Sequence, residues 1–158
     1  MKIKRLKKML CVFFVVCLMV SVLFATSALA APETLPADTY STRPGLVFLR
    51  APQYAVSTTT NERLAIAASA PEGTTVTIYR YDAASGLYNK VYLNDAPVEA
   101  VVGSTMLFAG QVDLVSGANK FIIRGEAADG AATVVHFDVS LLSKDFMERI
   151  KSIIELNF

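Results

Sequence analysis

Apolar and polar residues alternate along much of the chain from Gly45 onward, in short runs that end at turn residues. Residues 63–70 and 75–81 are two such runs, and a Pro-Glu-Gly turn lies between them. A period of two is typical of strands with one buried face. Val76 and Ile78 are therefore expected to face the core, and their neighbours on the same strand are expected to face solvent.

Further runs with the same period follow, each bounded by Gly, Asn, Asp or Pro. The expected strands are Leu46–Arg50, a hairpin partner at Leu87–Leu93, one strand with Phe108, Val112 and Leu114, one with Phe121 and Ile123, and Ala132–Leu141. About seven short strands at this spacing predict an all-β fold, an antiparallel β-sandwich over residues 45–141.

The period changes after Leu141 and predicts an amphipathic helix over residues 142–158. Ser143 is a suitable N-cap, and acidic and basic residues alternate on the polar side. The apolar stripe either packs on its own sandwich or docks elsewhere, and balanced charges favour a protein partner over anionic lipid. The candidate partner-binding residues are Phe146, Ile150, Ile153 and Ile154.

Residues 31–44 contain three prolines and no apolar period. Proline lacks an amide donor and restricts the residue before it. This segment is expected to be an extended, mobile leader outside the fold.

Residues 1–30 have the organisation of a cleavable signal peptide. Five basic residues and no acid occur in the first eight positions, and the sixteen residues Met9–Phe24 carry no charge. Sixteen residues are fewer than the roughly 20 that a spanning helix needs, which favours cleavage after Ala30 over a retained anchor. The chain is therefore expected to be secreted or to act in the cell envelope, without a stable transmembrane span.

Cleavage changes the composition that bears on function. Five of the 15 basic residues and both cysteines, Cys11 and Cys17, lie in the predicted signal, whereas all 14 acids lie beyond it. The exported chain would carry a net charge of −4 and no thiol. An acidic domain without a basic cluster is a poor candidate for nucleic-acid binding.

No catalytic, cofactor or metal site is predicted. The single histidine, His136, is expected on the outward face of its strand, away from the apolar residues that alternate with it. The acids are scattered over expected loops and do not have the spacing of a calcium loop or a pair of catalytic carboxylates. We therefore expect a protein that is not an enzyme.

Four tyrosines lie on and around the predicted hairpin, and tyrosine rings can stack on sugars or anchor protein interfaces. Tyrosine is also common at exposed strand positions because of its β-propensity. The candidate ligand-binding residues are Tyr79, Tyr81, Tyr88 and Tyr92.

The segment Ala67–Tyr79 resembles the second and third strands of bacterial immunoglobulin-like domains. Val102–Phe108 resembles the family's later strands, as do the core and turn residues that follow, Val112, Leu114, Gly117, Asn119, Phe121 and Ile123. The resemblance implies a two-sheet sandwich in a secreted or cell-envelope protein and carries over no site residues.

Three functions remain open from the sequence. The first is an exported, non-catalytic module that acts in binding or assembly. The second is a carbohydrate-binding module that uses the tyrosines, and the third is a subunit that assembles through the C-terminal helix. An envelope protein, an extracellular protein or a glycan would be the partner, and the oligomeric state is left open.

Overall fold

The computed structural model describes residues 31–155, which form twelve β-strands and one C-terminal helix. The predicted signal peptide, residues 1–30, lies outside the described residues. The strands are β1 (Thr34–Pro36), β2 (Phe48–Ala51), β3 (Val56–Thr59), β4 (Arg63–Ser69), β5 (Thr75–Asp82), β6 (Leu87–Lys90), β7 (Tyr92–Leu93), β8 (Ala96–Pro97), β9 (Glu99–Val101), β10 (Leu107–Asp113), β11 (Gly117–Glu126) and β12 (Ala132–Leu141); the helix is α1 (Lys144–Glu155). The predicted all-β class with a C-terminal helix is confirmed.

The strands form two main sheets. The larger sheet has the order β1-β6-β5-β11-β12-β3, and β9 pairs with the first part of β5. The smaller sheet has the order β10-β4-β2, and β7 and β8 form a separate two-stranded ribbon. All pairings in the two main sheets are antiparallel except that of β12 with β3.

The main core lies between the two sheets, where apolar side chains alternate with outward-facing residues. Phe121 and Phe137 are cross-strand partners on β11 and β12, and their rings stack with centroids 5.2 Å apart. The smaller sheet contributes Ile66, Phe108 and Val112 to the same cluster. Burial of these side chains is the main contribution to the stability of the sandwich.

A close approach between β11 and the chain before β2 completes this core. Gly125 faces Val47, and a Cβ atom at Gly125 would lie only 1.9 Å from the Val47 Cγ2 atom. Val47 is buried. Glycine is therefore required at position 125 for the valine to occupy its place.

The N-terminal segment is part of the sheet, so the prediction of a leader outside the fold is wrong. Leu35 pairs with Tyr88 in β6 and is buried. Further along, the backbone amides of Thr42 and Arg43 donate to the carbonyl of Ala132. The prolines are compatible with this pairing because an edge strand needs no donors on its outer side.

The same segment buries the second face of β5. Thr77 and Tyr79 were expected to face solvent, but both are buried, and this prediction is wrong as well. Tyr79 belongs to a second, smaller cluster of buried residues, formed by Leu35, Tyr79, Tyr88 and Ile122. The larger sheet therefore packs on both faces at β5 and β11.

The helix begins where the sequence predicted. The Ser143 hydroxyl accepts a hydrogen bond from the Phe146 amide at 3.2 Å, which makes Ser143 the N-cap. Asp145 lies in the first turn, where a negative charge interacts favourably with the helix dipole.

Candidate functional site

The predicted tyrosine cluster is not a single exposed surface. Tyr79 has none of its surface exposed, and its hydroxyl donates to the Pro32 carbonyl at 2.8 Å. Tyr88 is only 8% exposed. Burial raises the pKa of both phenols above its ordinary value. These two residues hold the N-terminal segment in place, and a ligand-stacking role for them is excluded by their burial.

The other two tyrosines are accessible. Tyr92 is 48% exposed, and its hydroxyl donates to a Glu33 carboxylate oxygen at 2.8 Å, which raises the pKa of Tyr92. Tyr81 is half-buried, with Lys120 Nζ 5.9 Å from its ring centroid. Two of the four predicted residues therefore remain candidates for contact with a ligand.

His136 is exposed on β12, as predicted. Its ring lies edge-on to Tyr88, with centroids 5.9 Å apart, and Nδ1 is 3.5 Å from the tyrosine hydroxyl. The histidine thus borders the outer face of the larger sheet.

The buried Lys90 forms a polar cluster with the exposed Glu33 and the half-buried Glu99. Its side chain is 3% exposed, and Nζ lies 3.2 Å from a Glu33 carboxylate oxygen and 3.4 Å from one of Glu99. Nζ also donates to the Ala31 carbonyl at 2.5 Å. The hydrogen bonds from Tyr92 and from Lys90 hold the pKa of Glu33 below its ordinary value. Since each polar group here is paired, the cluster fastens residues 31–33 to the sheet.

Among residues 31–155, no group of three or more His, Cys, Asp or Glu side chains is arranged to hold a metal ion.

A polar cleft with a volume of about 750 Å³ opens at one end of the sandwich. One wall is formed by the ends of β5 and β6, and the other by Asp113, the last residue of β10, with Leu114 and Val115 after it. Ala118 and Asn119 of β11 also line the cleft. Tyr81 and Tyr92 both border it. Its size falls within the range of small-molecule sites in proteins, roughly 300–1,000 Å³.

Arg80 and Asn89 lie side by side in this cleft because they are cross-strand partners on β5 and β6. Arg80 also pairs with Phe121 and so shares the inner face of the sheet with the core. Its guanidinium donates to the Asp113 carbonyl at 3.2 Å and thereby joins the two walls. The cleft therefore begins where the apolar core ends.

The two acids that border the cleft are already engaged. The Asp113 carboxylate accepts a hydrogen bond from Arg63 Nε at 2.8 Å, on the outer face of the smaller sheet. The Asp82 carboxylate accepts hydrogen bonds from Ser85 and the Ala84 amide, which lower its pKa. Within residues 31–155, Arg80 has no ion-pair partner.

The apolar stripe of α1 is a second candidate surface. Phe146 is 49% exposed and Ile154 is 53% exposed, while Ile150 is half-buried. Ile153, the fourth predicted residue, is also exposed. Within residues 31–155, the helix shares no extensive interface with any strand. Of the two arrangements left open by the sequence, packing of the stripe on the strands of the sandwich is not seen within residues 31–155.

No protein-family model matches the chain, and no curated protein matches it. In the described part of the chain, neither the length nor the hydropathy of any helix is sufficient for it to cross a membrane.

Sequence reasoning missed the cleft although the signal is visible in β5. The inward-facing positions of that strand are Val76, Ile78, Arg80 and Asp82. The change from apolar to charged residues on a core-facing row marks the end of the core. Only the register with β6 shows that Asn89 stands beside the arginine.

Proposed function

We propose that this chain is an exported, non-catalytic immunoglobulin-like module that acts in assembly outside the cytoplasm, and that α1 is its attachment element. The signal-like residues 1–30 support export. The two-sheet fold is compatible with the resemblance of residues 67–79 and 102–123 to bacterial immunoglobulin-like domains.

The observation that carries the proposal is the exposed apolar stripe of α1. Phe146, Ile150 and Ile154 recur at intervals of four and therefore share one side of the helix. Burying a whole Ile or Phe side chain contributes about 1.5–3 kcal/mol, so covering the exposed half of each contributes about 1 kcal/mol. A helix of twelve residues is marginal in water by itself. Docking on a partner would bury the apolar stripe and thereby stabilise the helix.

A protein is the partner class that the charges favour. The sequence of α1 contains three acids, Asp145, Glu148 and Glu155, and three basic residues, Lys144, Arg149 and Lys151. Because the two signs are balanced, attraction to an anionic lipid surface is expected to be weak. The partner is either a second copy of the chain or a different envelope or extracellular protein.

The first test is the solution mass of residues 31–158, measured by light scattering after size exclusion. Glutamine at Phe146 and Ile154 removes the stripe and preserves helix propensity. Glutamine at Glu148 and Glu155, on the opposite side of the helix, is the matched control. An oligomer that the stripe variant reduces to a folded monomer, and that the control variant preserves, supports assembly of identical subunits.

A different partner is tested with a photo-crosslinking residue in the producing cell. Placed at Ile154, it should give a defined adduct, whereas placed at Glu148 it should give none. The proposal would be overturned if the protein is a monomer in solution and the two crosslinking positions give the same adducts. It would also be overturned if the protein is a monomer and neither position gives an adduct.

Carbohydrate binding by all four tyrosines is a weaker second candidate because Tyr79 and Tyr88 are buried. What favours a small-ligand site is the cleft that Tyr81 and Tyr92 border. Alanine at Tyr81 or Tyr92 should weaken retention on a glycan column if these rings contact the ligand, and absence of retention by the unmutated protein would refute that function.

A further inference from the structure

We propose that the end cleft is a binding site for a small ligand that carries a carboxylate, and that Arg80 and Asn89 recognise this group. The ligand would be an acidic saccharide or the free carboxyl terminus of a short peptide. This site lies apart from the stripe of α1 and does not depend on the proposed assembly function.

The charge of Arg80 is the first reason. A guanidinium has five N–H donors, and the described residues of this chain use one of them, for the Asp113 carbonyl. That contact fixes the side chain across the cleft without neutralising it. The remaining donors have the fork geometry that matches a planar carboxylate.

The placement of Asn89 is the second reason. It is half-buried directly opposite Arg80 in the β5–β6 register, and within residues 31–155 its carboxamide has no hydrogen-bond partner. Directly paired residues have Cβ atoms about 5 Å apart, which allows both side chains to reach one ligand. The carboxamide can donate to the second side of a carboxylate or bond an adjacent hydroxyl.

The surroundings define the remainder of the ligand. Val91, Leu114 and Val115 line the cleft and offer apolar contact, while Tyr92 contributes a partly exposed ring. The carboxylates of Asp82 and Asp113 accept hydrogen bonds from protein donors, so they are not aimed at Arg80 as counter-ions. A compact acidic ring, or a terminal residue with a small side chain, fits this combination of charge and apolar wall.

The test compares acidic probes with neutral probes of the same size. Trigalacturonic acid is compared with its methyl ester, and N-acetyl-trialanine with N-acetyl-trialanine amide, by calorimetry and by the NMR shift of the Asn89 side-chain amide. At least one acid should bind and move that signal, and its neutral counterpart should bind roughly tenfold more weakly or worse. The acid that binds identifies the source of the carboxylate.

Variants then assign the binding to the cleft. Arg80→Gln should reduce the affinity for the acid by roughly tenfold or more, and Arg80→Lys should retain part of it because a point charge replaces the fork. Arg50→Gln removes the same charge on the smaller sheet, where Arg50 donates to Ser69, and should have no effect. Asn89→Ala provides an independent test if Arg80→Gln fails to fold.

Three results would overturn the proposal: equal binding of the acid and its neutral counterpart, unchanged affinity in both Arg80→Gln and Asn89→Ala, or no binding of either acid up to roughly 10 mM. Glutamine at Phe146 and Ile154 should leave probe binding unchanged. Failure of the assembly function and failure of this site would therefore be distinguished.

Discussion

Replacing Gly125 by alanine should destabilise the protein through a single steric contact. The added Cβ would lie 1.9 Å from Val47 Cγ2 and 3.2 Å from Val47 Cβ, well inside van der Waals distance. Valine is β-branched and buried here, so it cannot move away without disturbing the core. Overpacking of this kind costs about 1–3 kcal/mol.

The compensating change is Val47→Ala, which removes the clashing methyl group. Alone, it loses two buried methyl groups, about 1.6 kcal/mol, and leaves a cavity that raises the cost to about 2 kcal/mol. In the double variant the 1.9 Å clash is absent and the new methyl group fills part of the cavity, but the two Cβ atoms still meet at 3.2 Å and need a small shift. Most of the cost of Gly125→Ala should therefore be recovered, which corresponds to a coupling energy of about −1 to −2 kcal/mol.

Urea unfolding followed by far-ultraviolet circular dichroism measures all four proteins, since the chain contains no tryptophan. If the two changes add within about 0.5 kcal/mol, the close approach between Gly125 and Val47 does not exist as described.

Three further predictions concern the N-terminal segment. Tyr79→Phe removes the hydrogen bond to the Pro32 carbonyl and should lower the free energy of unfolding in urea by about 1 kcal/mol. Amide exchange in residues 31–36 should become faster. Tyr92→Phe, at an exposed site, should have a smaller effect. Burial raises the folded-state pKa of Tyr79 above the ordinary value of 10.0. The free energy of unfolding should therefore be unaffected by this tyrosine below pH 10.0 and should fall above that pH by up to about 1.4 kcal/mol per pH unit, and Tyr79→Phe should flatten that decline. Because hydrogen bonds lower the folded-state pKa of Glu33 below its ordinary value of 4.5, its contribution should be present above pH 4.5 and lost on further acidification; equal acid sensitivity in Glu33→Gln would contradict this.

The central strands could be predicted from sequence because their alternation is local. β4, β5 and β12 lie within a residue or so of the predicted runs, and β12 matches Ala132–Leu141. α1 was predictable for the same reason, since its stripe and its N-cap are both encoded within a few residues. In each case the pattern reports which side of an element is apolar.

β1 and β3 are two of the strands that were not predicted, and both depend on distant partners. β1 contains Pro36 and one apolar residue, and it is a strand because β6 supplies its hydrogen bonds. β3 has little apolar character and pairs in parallel with β12. Neither strand has a local signal that could distinguish it from a loop.

The same limitation explains the tyrosines. Alternation placed Tyr79 on the face opposite Val76 and Ile78, which the structure confirms. It could not show that the chain before β2 covers that face as well. Tertiary packing of this N-terminal segment decides which surfaces remain accessible and therefore which residues can contact a ligand.

The edge position of β1 also bears on the order of folding. Residues 31–36 are synthesised before every other described residue, but the lysine that fixes Ala31 lies 59 residues further along. Closing so long a loop is slow, so β1 is expected to join the sheet late. Until it does, β6 presents unpaired backbone groups to which a strand of another molecule could add. Timely docking of the N-terminal strand would thus protect the newly made protein from aggregation.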